Sequence, residues 1–240
     1  MVETVRLHEV KERRAGSLSL LEGPHLLAEA VAASCSILRV FALPDDNSAA
    51  SLAIGAGAEF VPVSVEVLSR LAPTQHPRGP VAVFRIPPDV VVDTFQTLVL
   101  WRLGDPGNVG TTIRSAAAFG LGVIAVPGAD PWAPKVLRAA AGAHFRTTLE
   151  TDPDLTVADL SERGFRVVAT AGTGGAPPWS LPRTKTAWLI GEEAHGLPAD
   201  VIASADQLVT IPMPGTVESL NAAAAAAILA YEAVRPDRSG

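Results

Sequence analysis

Cysteine is almost missing from this chain of 240 residues. Cys35 stands alone, so an intrachain disulfide is excluded and a cysteine-built metal site has no ligand set. Long apolar runs are missing too: none approaches the roughly 18 residues of a membrane span. The opening residues Met1 to Arg6 carry no apolar signal stretch. These gaps set the expectation of a cytoplasmic protein that uses neither membrane nor metal. An excess of cations is also lacking. The net charge is −6, with 8 Lys+Arg against 10 Asp+Glu up to Val90 and 11 against 15 beyond it. Neither half is a basic domain, so any nucleic-acid contact must use local patches such as Lys11, Arg13 and Arg14. A dinucleotide fingerprint is not found either. Gly55-x-Gly57 lacks the third glycine and ends a helix, while Gly120-x-Gly122 precedes a strand instead of following one.

What the chain does have is apolar material, 48% hydrophobic against 18% charged, enough for a packed core. Strand-like and helix-like stretches alternate throughout. In the first half, strands are expected at 18–22, 37–41, 59–63 and 81–86. Helices are expected after Pro24, at 48–56, and at 64–71 behind a Ser64 cap. Pro87-Pro88 breaks the pattern, and a linker is expected at 87–95. The second half restarts with strands at 98–103, 123–126, 144–149, 165–169, 187–190 and 207–211. Helices are expected at 111–119 closed by Gly120, 135–141, 155–163 and 220–234. Continuous apolar strands alternating with helices predict an α/β fold with a mostly parallel sheet covered on both faces. The boundaries expected are a small α/β domain over 1–90 and a second domain over 91–240.

Three blocks in the second half carry polar chemistry. Asp105-Pro106-Gly107-Asn108-Val109-Gly110, with Arg114 a turn further on, leaves a strand and enters a helix. Its backbone N–H groups suit an anion, and Arg114 suits a phosphate. An ordinary strand–helix turn with a surface arginine accounts for the block equally well. Gly191-Glu192-Glu193-Ala194-His195-Gly196-Leu197-Pro198 places two carboxylates and a histidine in a glycine-bounded loop. That set can do acid–base work or can simply be solvated ahead of a helix. Ile211-Pro212-Met213-Pro214-Gly215-Thr216-Val217-Glu218-Ser219-Leu220-Asn221 enters the last helix, where Ser219 or Asn221 can be a plain cap.

Together the blocks are far more specific. Asn-x-Gly-x-x-x-Arg, Gly-x-Glu-x-x-Gly-Leu and Ile-Pro-Met…Glu-Ser-Leu-Asn, in this order, resemble the three motifs of the SpoU/TrmH-type ribose 2′-O-methyltransferases of the SPOUT superfamily. The resemblance spans about 97–233 and includes Arg138-Ala139-Ala140-Ala141-Gly142-Ala143-His144-Phe145. The first half is more weakly similar to the small RNA-binding domain that often precedes the catalytic one, best at Ser19-Leu20-Leu21-Glu22-Gly23-Pro24.

The resemblance implies a parallel α/β domain with a deep trefoil knot, S-adenosylmethionine as cofactor, and a homodimer. It also implies methylation of a ribose 2′-hydroxyl in structured RNA, ribosomal RNA before transfer RNA. Carried over position by position, the cofactor residues are Ala169, Thr170, Gly191, Ile211, Met213 and Leu220. The reactive cluster is Asn108, Arg114, Glu193, Ser219 and Asn221. Two departures stand out: Glu192 where asparagine is common, and Asn221-Ala222-Ala223-Ala224 where the family often reads Asn-Val-Ser-Val. A transfer-RNA enzyme, or an RNA-binding assembly factor with a lapsed site, is the alternative.

Overall fold

A computed structural model describes residues 2–7, 9–72, 79–217 and 219–236, and the side chains of Val2, Glu3, Val10 and Arg14 are outside the description. The side chain of Arg14 in the expected basic patch and the whole of Glu218 in the third block therefore lie outside the description. In chain order the first elements are α1 (Val2–Arg6), α2 (Val10–Gly16), β1 (Leu18–Glu22), α3 (Pro24–Ala32), β2 (Ile37–Ala42), α4 (Asn47–Gly55), β3 (Glu59–Pro62), α5 (Val65–Leu71) and β4 (Val81–Arg85). Then follow β5 (Gln96–Leu100), α6 (Pro106–Phe119), β6 (Gly122–Ala125), α7 (Pro134–Ala140), β7 (Leu149–Thr151), α8 (Val157–Glu162) and β8 (Arg166–Thr170). The last are β9 (Thr186–Ile190), α9 (Ala199–Ser204), β10 (Gln207–Val209) and α10 (Ala222–Val234).

The chain forms two compact units. One comprises residues 1–88 together with 130–146; the other comprises 89–129 and 147–240. The first unit holds a four-stranded sheet in the order β1-β4-β2-β3. This sheet is mixed: β4 runs antiparallel to β1 and β2, while β2 and β3 are parallel. Ser64 caps α5 by accepting from the Val67 N–H, as its position before an apolar run predicts. The basic patch expected at the N-terminus does not form as read. Arg13 is only 2% exposed, and its guanidinium is spent on Asp130 and on the Leu7 carbonyl.

Segment 130–146 belongs to this first unit through specific bonds. The Ser19 hydroxyl donates to the Trp132 carbonyl at 2.6 Å, and Phe84 packs against the rings of Trp132 and Phe145. The strand expected at 144–149 is a correction. Residues Ala143–Arg146 wind into a 3-10 turn after Gly142 at φ 86°, and the strand starts only at Leu149. The pull of the aromatic cluster on Phe145 and of the Pro131 carbonyl on His144 overrides the strand propensity of the run.

The second unit carries six strands in the order β10-β8-β9-β5-β6-β7, every neighbouring pair parallel. All residues of β5, β6 and β9 are buried, which is what continuous apolar strands between two helical layers require. The expected linker is not a free tether from residue 89 onward. Val92 is buried, its N–H donates to Glu150, and Glu150 also accepts from Arg163. Gly120 closes α6 in the left-handed region at φ 71°. No helix of the described residues is long and apolar enough to cross a membrane.

Candidate active site

Parallel strands send all their carboxyl ends to one edge of the sheet, where ligands of open α/β folds bind. Block one follows β5, block two follows β9, and block three follows β10, so three stretches far apart in sequence leave from one edge.

Block one is fixed by its own cap. Asp105 Oδ1 accepts from the Asn108 N–H at 2.8 Å, and Pro106 occupies the first turn of α6, where no N–H is needed. Block two turns sharply on itself. The Gly196 N–H donates to the Glu192 carbonyl at 3.0 Å, and His195 Nδ1 lies 2.9 Å from Glu192 Oε1. A Cβ on Gly191 would sit 2.3 Å from the Gly196 carbonyl carbon, so only glycine fits there. In block three Asn221, not Ser219, caps α10, accepting from the N–H groups of Ala223 and Ala224.

These fixed points orient one another. The α10 N–H groups demand an acceptor, so the Asn221 carbonyl oxygen must face them and its amide nitrogen must face away. That nitrogen donates to Asn108 Oδ1 at 2.9 Å. Asn108 Nδ2 is thereby turned to donate to Glu193 Oε1 at 2.7 Å. A single chain of hydrogen bonds thus joins all three blocks, and the helix cap sets its direction.

Beside this chain lies a cavity of about 580 Å³, a size that suits a small-molecule ligand. Ile190, Leu197, Ile202, Val209, Ile211 and Leu229 supply aliphatic wall. Of the cofactor residues expected from sequence, Thr170, Gly191, Ile211, Met213 and Leu220 line it. Ala169 does not; it is fully buried in the sheet one residue behind Thr170. Of the reactive cluster, Glu193, Ser219 and Asn221 line the cavity, and Asn108 stands behind them holding two of the three. Arg114 is set apart. It is exposed, six residues beyond Asn108 on α6, roughly 9 Å along the axis by helix rise. Its guanidinium makes no hydrogen bond or ion pair among the described residues.

Sequence reasoning missed part of the wall. Ala222, Ala225 and Leu229 of α10 and Ile202 beyond block two line the cavity. The i, i+3, i+7 spacing on α10 was a usable signal; nothing local marks Ile202. The cavity's chemistry suits a nucleoside carrying a positive charge. The walls are aliphatic, the ionisable lining groups are Glu192, Glu193 and His195, and no Lys or Arg lines it among the described residues.

A family model described as the SpoU rRNA Methylase family matches residues 96–231, and one described as the MRM3-like substrate binding domain matches residues 2–82. The chain is 33% identical to the 23S rRNA (guanosine(2553)-2′-O)-methyltransferase RlmP of Bacillus subtilis, over 94% of this chain and 92% of that protein. Among solved structures it is similar to the SpoU methyltransferase AviRb of Streptomyces viridochromogenes in complex with AdoMet. There the TM-score is 0.86 with 27% identity, covering 97% of this chain and 96% of that one. An AdoMet-bound rRNA methyltransferase of Sinorhizobium meliloti matches with a TM-score of 0.85 and 26% identity, covering 97% and 92%.

Proposed function

Because this chain belongs to the SpoU rRNA methylase family, we propose that it methylates the 2′-hydroxyl of a ribose in structured RNA, ribosomal RNA first, with S-adenosylmethionine as donor. The observation that carries this reading is the hydrogen-bonded chain Asn221–Asn108–Glu193 set against an aliphatic cavity.

The cofactor, when bound, supplies a methyl group made electrophilic by its sulfonium. The chain's residues do the rest. Gly191, Ile211, Met213, Leu220 and Thr170 would hold the cofactor against the sheet edge, with Ala169 backing Thr170 from the core. Glu193 has one oxygen held by Asn108, which leaves the other to accept the proton of the ribose hydroxyl. Ser219 and Asn221, on the wall, orient that ribose. Arg114 does not line the cavity, so proton removal is assigned to Glu193. The place of Arg114 outside the cavity suits a grip on the RNA phosphate beside the reacting ribose; stabilising the oxyanion as well would require the bound RNA to bring the reacting oxygen within reach of its guanidinium.

The same reading takes residues 1–90 as the RNA-binding domain and 91–240 as the methyltransferase domain with its trefoil knot, in a cytoplasmic homodimer. The exposed Ile228, Tyr231 and Val234 on α10 offer an apolar face for the second copy.

Purified protein given methyl-tritiated S-adenosylmethionine and 23S rRNA or transfer RNA should label RNA in alkali-resistant dinucleotides, the mark of 2′-O-methylation. Label confined to bases, or no transfer to either RNA, would overturn the reading. Arg114→Ala should lower the single-turnover rate about 10²–10³-fold with melting temperature and cofactor affinity unchanged. Equal loss of activity and of folded protein would remove Arg114 from the reaction.

A further inference from the structure

Glu192 is not needed by the hydrogen-bonded chain, yet it lines the same cavity next to Glu193, which is part of that chain. Resting on the cofactor reading above, we propose that Glu192 makes the cavity distinguish the cationic methyl donor from the demethylated product, so that product leaves and donor replaces it. Methyl transfer breaks the bond between methyl carbon and sulfur and forms one between that carbon and the ribose oxygen. The sulfur keeps the electron pair and turns from a sulfonium cation into a neutral thioether, while the hydroxyl proton goes to a base. Donor and product thus share adenine, ribose and amino-acid portions, and they differ by one methyl and one positive charge. Contacts to the shared portions cancel in the ratio of affinities. Groups that touch the methyl or sense the charge set that ratio, and of the two only the charge acts at a distance.

In this cavity those groups are few. Among the described lining residues the ionisable side chains are Glu192, Glu193 and His195, and no Lys or Arg offsets them. Glu193 gives one oxygen to Asn108 and keeps its charge, so Glu192 is a second carboxylate added to the same cavity. Glu192 is held in place by its own loop: its carbonyl accepts from Gly196, its Oε1 lies 2.9 Å from His195 Nδ1, and Gly191 before it lies so close to the Gly196 backbone that a Cβ would not fit. Its side chain is 39% exposed while that of His195 is 83% exposed, so the imidazole faces solvent more than the carboxylate does. Where water is partly excluded, a fixed carboxylate acts on a cation more strongly than it would in bulk solvent.

Calorimetric titration of the full chain with S-adenosylmethionine, S-adenosylhomocysteine and sinefungin tests this. Sinefungin carries an ammonium group in place of the methylated sulfonium. In Glu192→Gln the donor and sinefungin should each bind about fivefold or more weakly. S-adenosylhomocysteine should bind within twofold of wild type, which also certifies the folded pocket. Loss of all three together would make Glu192 a contact to the shared portions and overturn the proposal, as would no change in any. If the wild-type chain bound none of the three, the cofactor reading itself would fall. Wild-type binding with an unaltered donor-to-product ratio in the variant would sink this inference alone.

Discussion

At Asn221 one amide does two jobs with its two ends: the oxygen caps α10 and the nitrogen orients Asn108. Asn221→Asp keeps the acceptor and removes the donor. The helix should hold, since a carboxylate caps and favours a helix N-terminus at least as well. Methyl transfer in single turnover should nonetheless fall about 10²-fold, with the thermal melt unmoved. An early melt with normal activity per folded molecule would contradict the relay. His144 makes a second residue-scale case. It is fully buried, and desolvation lowers its pKa from 6.5 to about 4 against the weaker opposing pull of the Pro131 carbonyl and Asp130. Its Nε2 meets the Pro131 carbonyl while Nδ1 has no partner, so a proton on Nδ1 would be stranded among aromatic rings. The folded pKa is depressed, so the unfolded chain takes up a proton first. Stability is therefore whole above about pH 6.5 and falls as pH drops toward 4, by at most about 3 kcal/mol. Denaturant melts at pH 7 and 5 should differ less in His144→Gln than in wild type; an equal difference would assign the acid sensitivity elsewhere.

Helix α10 is the element on which cavity and core meet. Ala223, Ala226, Leu229 and Ala230 are buried, Ala222, Ala225 and Leu229 line the cavity, and Ile228 and Tyr231 face outward. The alanine run that looks like low complexity is thus read by three surroundings at once, and small side chains on the cavity face keep the space open. Ala225→Leu retains a strong helix former but places a branched side chain in the cavity. Affinity for S-adenosylmethionine should drop more than tenfold by calorimetry, with unchanged helical circular dichroism. Undiminished binding would show that the cofactor lies elsewhere. The helix was expected from residue 220 and begins at Ala222, because Asn221 spends its side chain on the cap.

For the molecule as a whole, the consequential feature is that residues 130–146 fold with residues 1–88. Asp130 answers Arg13, the Trp132 carbonyl answers Ser19, and Phe84 lies between Trp132 and Phe145. A chain starting at residue 89 would keep every motif and lose all of these partners. It should bind a hydrophobic dye and lose near-ultraviolet circular dichroism at its tryptophans, even though its six strands are intact in sequence. A cooperative melt without dye binding would show that the segment can bury itself unaided.

The sequence by itself determined the α/β class with the parallel sheet of the second unit, the caps at Ser64 and Gly120, and three blocks that belong together; between Ser219 and Asn221 as the cap of α10 only the structure decided. Each of these is local: strand burial is written in runs of apolar residues, and caps are written in one residue type at one position. Only the tertiary structure decided which side chains meet. Parallel strands with reordered neighbours bring residues 108, 193 and 221 into one hydrogen-bonded chain, whereas Arg114, six residues from Asn108, is turned out of the cavity by the pitch of its helix. The strand expected at 144–149 and the basic patch expected to include Arg13 failed for the same reason. Their partners, Phe84 and Asp130, are far away in sequence, and burial against a distant partner outweighs the preference of a short local run.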